Sequence, residues 1–210
     1  MDGTLFSTEP IYFQCYQAAA KPMGLDFPFE LFQKCIGIST QEALPLVMSY
    51  FGRAVDVEAI YKGCCVNLEE YLKDGPIPFR PGAKEVVQYF YKHGLKLGIA
   101  TSNVQKWVDK ILHKTDMDKY FSAIITSDDV SNPKPDPEVY LRCAKQLHTD
   151  VAQCLAFDDS VAGATAAISA GMRTVVVPDL KQPDTFVREH AFKIYQSLED
   201  IYPDMDELLN

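Results

Sequence analysis

The alternation of apolar and polar positions changes rhythm near residue 80. From about Pro10 to Leu72 the spacing is helical. Ile11, Phe13, Cys15, Tyr16 and Ala19 supply the apolar face of a first helix. Pro10 suits its first turn, and Pro22-Met-Gly24 ends it. Ser39-Thr-Gln-Glu42 reads as a capping box for a helix reaching Phe51-Gly52. Pro45 inside that helix predicts a kink or a late start. Asp56 to Leu72 makes one more helix, and nothing in this half reads as a strand.

Beyond Pro81 short apolar runs alternate with amphipathic stretches. A helix from Pro81 ends at His93-Gly94, with glycine as the stop. Strands are predicted at Leu95–Ala100, Ala123–Thr126, Cys154–Phe157 and Thr174–Val177. Helices are predicted between them from about Val104 to His113, Pro137 to Leu147 and Val161 to Ala170. This alternation means a parallel sheet with helices on both faces. In such sheets ligand chemistry collects at the carboxyl ends of the strands. The residues there are Thr101-Ser102-Asn103, Ser127-Asp128-Asp129 and Asp158-Asp159-Ser160. Helix capping alone explains one or two of these clusters. It explains Asp158-Asp159 less well, because adjacent carboxylates repel unless a cation or water stabilises them.

Composition narrows the class. With 210 residues the chain can hold a core domain and a small insertion. The net charge of -9 argues against sequence-independent nucleic-acid binding, yet allows a local cationic pocket for an anionic substrate. Six scattered cysteines without a Cys-x-x-Cys pair read as small buried side chains in a reducing compartment. The four histidines lack ligand spacing. No leader or membrane span is visible, so the expectation is a cytoplasmic monomer with neither nucleic-acid nor membrane partners.

Four stretches, taken in order, carry the chemistry: Asp2-Gly3-Thr4-Leu5, Ile99-Ala-Thr101-Ser102-Asn103, Lys134-Pro-Asp-Pro-Glu-Val-Tyr140 and Phe157-Asp158-Asp159-Ser160-Val-Ala-Gly163. Together they resemble the haloacid dehalogenase-like hydrolase superfamily, in its phosphatase and phosphomutase branch. The resemblance covers essentially the whole chain. It implies an α/β fold: a Rossmann-like parallel-sheet core, residues 1–8 and 79–210, with an inserted all-helical cap over residues 9–78. It also implies a small phosphorylated metabolite as substrate and Mg²⁺ as cofactor. Asp2 is carried over as general acid/base and metal ligand, and Asp158 and Asp159 as further Mg²⁺ ligands, since a hard cation prefers oxygen. Lys134 offers a cation to the phosphoryl oxygens. Thr101, Ser102, Asn103 and Gly3 complete the phosphate contacts through hydroxyl and backbone donors. The plainer reading of each is a loop lysine, a strand-end hydroxyl and helix-capping acids. Asp129 is left out of the catalytic set, and Trp107 reads as packing.

The resembled family places its attacking aspartate two positions before the acid/base aspartate, at the end of the first core strand. Here that position, and the apolar strand carrying it, would precede Met1. The expectation is a natural chain that starts further upstream. Gly37-Ile-Ser-Thr40 marks the cap loop, with Thr40 where the mutases carry arginine, and Tyr12 stands near the position of their hinge histidine. Both departures favour hydrolysis over mutase chemistry. A sugar phosphomutase and a catalytically inactive phosphometabolite- or protein-binding member stay open as alternatives.

Overall fold

The structure, a computed structural model, describes residues 1–35, 40–52 and 54–209. It divides into two compact units, Thr8–Pro76 and a second made of Met1–Ser7 with Ile77–Asn210.

Among the described residues the first unit contains helices and no strand: α1 (Glu9–Ala20), α2 (Phe29–Cys35), α3 (Thr40–Phe51) and α4 (Val57–Asp74). Its core joins Leu25, Phe27, Leu31, Phe32, Val47 and Ile60, with Tyr12 and Tyr16 packed against it. Each fully buried side chain of this size stabilises by about 1.5–3 kcal/mol. Asp56 caps α4 by accepting from the Ala59 N–H at 2.9 Å. The sequence pattern passes over α2. Two turns are too short for a helical period to register, and this helix exists because Leu31 and Phe32 reach the shared core. Pro45 neither ends nor delays α3, which runs on to Phe51. The proline lies in the second turn, where its missing N–H costs a single bond to the carbonyl of residue 41. The capping box expected at Ser39–Glu42 and the loop at Gly37–Thr40 fall largely outside the described residues.

The second unit alternates strands and helices: α5 (Ala83–Lys92), β1 (Leu97–Ala100), α6 (Gln105–Lys114), β2 (Phe121–Ile125), α7 (Glu138–Gln146), β3 (Leu155–Asp158), α8 (Val161–Ser169), β4 (Arg173–Val176), α9 (Thr185–His190), β5 (Lys193–Ile194) and α10 (Met205–Leu208). All strand pairs are parallel. Among the described residues they form two pieces, β1-β2 and β3-β4-β5, where the pattern implied one sheet. Both faces are covered, and successive strand residues point to opposite ones. Ala156 points into a cluster with Val139, Tyr140, Ala166 and Ala167, while Leu155 and Phe157 face Val86, Phe90 and Ile201. β5, α9 and α10 were not predicted. β5 is two residues long and owes its existence to pairing with Val175 and Val176.

Within this unit the two segments that connect to the helical unit run side by side. The Ser7 N–H donates to Pro78 O at 2.9 Å and the Arg80 N–H to Leu5 O at 2.9 Å. Phe6 packs on Phe79 with ring centroids 5.0 Å apart. Arg80 also pairs with Asp179 beyond β4. All six cysteines are free, with Cys15, Cys64 and Cys143 buried. The four histidines are exposed, and Trp107 is buried beside the ammonium groups of Lys106 and Lys110.

Candidate active site

Four loops meet at the carboxyl ends of β1 and β3. The first is the turn at the start of the chain, closed by the Leu5 N–H on Met1 O (2.7 Å) and the Gly3 N–H on Phe6 O (2.9 Å). Gly3 has φ +68°, and a Cβ there would lie 2.2 Å from Asp159 Oδ2. Conformation and space therefore both require glycine. The next residue, Thr4, donates its hydroxyl to Asp159 Oδ1 at 2.6 Å.

The loop after β1 supplies the second group. The Thr101 N–H extends the β1-β2 ladder to Ile125 O, and the buried Thr101 Oγ1 accepts from the Asn103 N–H at 3.1 Å. Asn103 Nδ2 donates to Asp2 Oδ2 at 3.2 Å, joining this loop to the first turn. Ser102 is exposed and makes no hydrogen bond among the described residues.

Lys134 ties the two strand ends together. Its Nζ donates to Ala100 O at the end of β1 (3.2 Å) and to Asp158 Oδ2 at the end of β3 (2.9 Å). This ion pair is nearly buried, with side chains 9% and 5% exposed. The cation that relieves the Asp158-Asp159 repulsion is thus a lysine of the same chain. Asp158 takes two more donors on Oδ1, the Ser160 N–H (2.9 Å) and Ser160 Oγ (2.8 Å), and a fourth on Oδ2 from the Tyr140 hydroxyl (2.7 Å). Ser160 Oγ also accepts from the Gly163 N–H at 3.0 Å and so caps α8.

The two adjacent carboxylates are driven apart electrostatically. Burial pushes Asp158 upward, but the Lys134 ammonium and the bonds from Tyr140 and Lys134 outweigh it, holding Asp158 well below the usual carboxylate range. Burial, and then the neighbouring Asp158 charge, push Asp159 up to about 6. The two neighbouring carboxylates thus shift in opposite directions, Asp158 down and Asp159 up.

For a divalent metal the donors fit in part. Asp2 and Asp159 carry hard oxygens of the kind Mg²⁺ prefers, and Asp159 Oδ2 makes no hydrogen bond among the described residues. Asp158 already receives four donors and serves here as the counter-ion of Lys134. Among the described residues no group of three or more His, Cys, Asp or Glu side chains is arranged to hold a metal.

Asp129 closes a capping box on Thr126, accepting from the Thr126 N–H and Oγ1 at 2.8 Å each, and Asp128 accepts from the Gln105 N–H. These acids are structural, as the capping alternative has it. Four contributors escaped the sequence reading as site residues: Thr4, Tyr140, Ser160 and Gly163. Each lies inside or next to a recognised stretch, but only the packed structure says what its side chain or backbone meets.

A family model for haloacid dehalogenase-like hydrolases matches residues 1–177. The chain belongs to that family. A phosphorylated carbohydrates phosphatase of Thermotoga maritima is 32% identical over 179 residues, 83% of this chain and 81% of that protein. A bifunctional riboflavin kinase/FMN phosphatase of Arabidopsis thaliana is 28% identical over 206 residues, 96% of this chain and 52% of that larger protein. The crystal structure of an Entamoeba histolytica HAD hydrolase, family IA, variant 3, matches the whole chain and 96% of its own length with a TM-score of 0.81. At 20% identity it shows the shared fold. The family and its named phosphatase relatives make this chain a hydrolase of the phosphatase type. Of the residues that the resemblance singled out, Lys134 pairs directly with Asp158 and Asn103 bonds to Asp2, with Ser102 standing apart. No helix among the described residues is long and apolar enough to cross a membrane.

Proposed function

We propose that this chain is a Mg²⁺-dependent phosphomonoester hydrolase acting on a small phosphorylated metabolite, a sugar or nucleoside monophosphate. The observation that carries this reading is the position of Lys134. It holds a cation between the ends of β1 and β3, beside the Asp2–Thr4 turn. A dianionic phosphoryl group needs such a fixed positive charge with hydroxyl and backbone donors around it. The Thermotoga maritima relative, named for phosphorylated carbohydrates, supports the sugar class.

Lys134 and Thr101 contact the phosphoryl oxygens, with Gly3 and Asn103 shaping the walls. Asp2 protonates the leaving alcohol and then activates water. Mg²⁺, held by Asp2 and Asp159, supplies charge neutralisation at the phosphoryl group. Asp158 joins it only by giving up one of its four donors. The attacking carboxylate, which splits the displacement into two steps through an aspartyl-phosphate, belongs two positions before Asp2, ahead of Met1. Thr40, where an arginine would hold a second phosphate, favours hydrolysis over mutase chemistry.

The experiment is phosphate release from p-nitrophenyl phosphate with and without Mg²⁺. It uses the chain of residues 1–210 and a version carrying an upstream strand that ends in aspartate at that position. Magnesium-dependent turnover that Lys134→Met and Asp159→Asn abolish is expected of the extended version. Phosphate binding without turnover in either version would replace hydrolysis with the inactive, metabolite-binding alternative.

A further inference from the structure

The buried hydroxyl of Tyr140 has no place in the reading above, although it touches both partners of the central ion pair. It donates to Asp158 Oδ2 at 2.7 Å, the same oxygen that receives Lys134 Nζ at 2.9 Å. The Lys134 ammonium stands 3.4 Å from the Tyr140 oxygen and 4.8 Å from the centre of its ring. Tyr140 is 6% exposed and lies among Val139, Cys143, Ala144 and Ala156. A phenol in such surroundings needs a polar partner. The partners present are the two groups on which phosphate binding depends.

We propose that Tyr140 is a positioning residue that aims the Lys134 ammonium at the phosphoryl group. The inference rests on the phosphomonoester reading. Lys134 has three N–H donors, directed at Ala100 O, Asp158 Oδ2 and the Tyr140 oxygen. To engage a phosphoryl oxygen it must exchange one of them. The contact to Tyr140 is the longest of the three and the only one to a neutral hydroxyl, so it is the one released. Meanwhile the Tyr140 O–H keeps Asp158 anchored, and the ring face keeps the ammonium from drifting. The hydroxyl and the ring thus do separable work, α7 supplying both from one rigid helical position.

Tyr140→Phe removes the hydroxyl and keeps the ring. Tyr140→Leu removes both. The measurement is the affinity of chain 1–210 for inorganic phosphate by titration calorimetry, alongside the thermal midpoint of each variant. Positioning by the hydroxyl predicts that the Phe variant keeps a midpoint within a few degrees of the parent yet binds phosphate about tenfold more weakly, because Asp158, left without the phenol O–H, holds the Lys134 ammonium more tightly. The Leu variant should bind more weakly still. If the Phe variant does not fold, Tyr140→Met, an apolar side chain of comparable reach that also lacks the ring, takes its place with the larger loss expected of the Leu variant. Unchanged phosphate affinity in a folded variant lacking the hydroxyl would reduce Tyr140 to packing and overturn the inference. A parent chain that binds no phosphate would overturn it too, by removing the phosphate site itself. Phosphate binding with the Tyr140 effect but no turnover would uphold the inference while hydrolysis fails.

Discussion

A Cβ on Gly163 would lie 2.1 Å from both carboxylate oxygens of Asp158. The first turn of α8 is therefore seated directly on the buried carboxylate. Asp158 cannot move aside cheaply, because four donors hold it.

Gly163→Ala should consequently destabilise the chain. In an ordinary helix the change gains up to about 1 kcal/mol. Here overpacking reverses the sign, to a loss of about 1–3 kcal/mol. Urea unfolding of the variant gives the number, and a gain in midpoint would show that α8 does not press on Asp158.

Lys134→Met should leave a buried carboxylate without its cation. Breaking one side of such a pair costs about 3–5 kcal/mol. The double variant Lys134→Met with Asp158→Asn should recover a large part of that loss, since no charge is then stranded. A double-mutant cycle on unfolding free energies measures the coupling, and additive losses would contradict the pairing.

Asp159, pushed up to about 6, makes stability fall as pH rises. Between the ordinary carboxylate range and pH 6 the native chain holds a proton that the unfolded chain has released. Raising the pH through that window therefore favours unfolding. Asp158, held low, acts in the opposite sense, and its contribution is lost only as pH falls below the ordinary range. The difference in urea midpoint between the parent and Asp159→Asn should grow in the variant's favour from pH 4.5 to pH 7. A difference that stays flat across the window would mean that Asp159 titrates normally.

A cavity of about 70 Å³ in the helical unit is lined by Tyr16, Phe27, Val47, Val57 and Ile60. Val47→Ile adds one methylene beside it and should stabilise by about 0.8 kcal/mol if the added atom fills the space without strain. Thermal unfolding measures the change. A lowered midpoint would show that the cavity walls cannot accept the extra carbon.

The sequence was most informative where one local signal sufficed. The helices of residues 9–20 and 57–74 follow from apolar spacing and breakers, and β1 to β4 from short apolar runs between helices. Lys134, Asp158, Asp2 and Asn103 were named from local stretches, and the structure brings them to the same pair of strand ends. Elements that exist through distant contacts were missed. α2 depends on the core reached by Phe32, and β5 on its pairing with β4. Ser102 sits in the right loop, yet its side chain points to solvent, a matter that no spacing rule decides.

By itself, then, the order of residues determined the alternation of strands and helices, the helical insertion and the set of polar groups at the strand ends. Those depend on local periodicity and turn chemistry, which are written along the chain. Tertiary structure alone decided that Lys134 is the partner of Asp158, that Tyr140 touches both, and that Asp158 and Asp159 differ in proton affinity. Side chains 24 and 18 residues away in sequence meet on Asp158, and burial there strengthens the interactions among them. Proximity and desolvation arise only when the chain is packed, so no stretch read in isolation contains them.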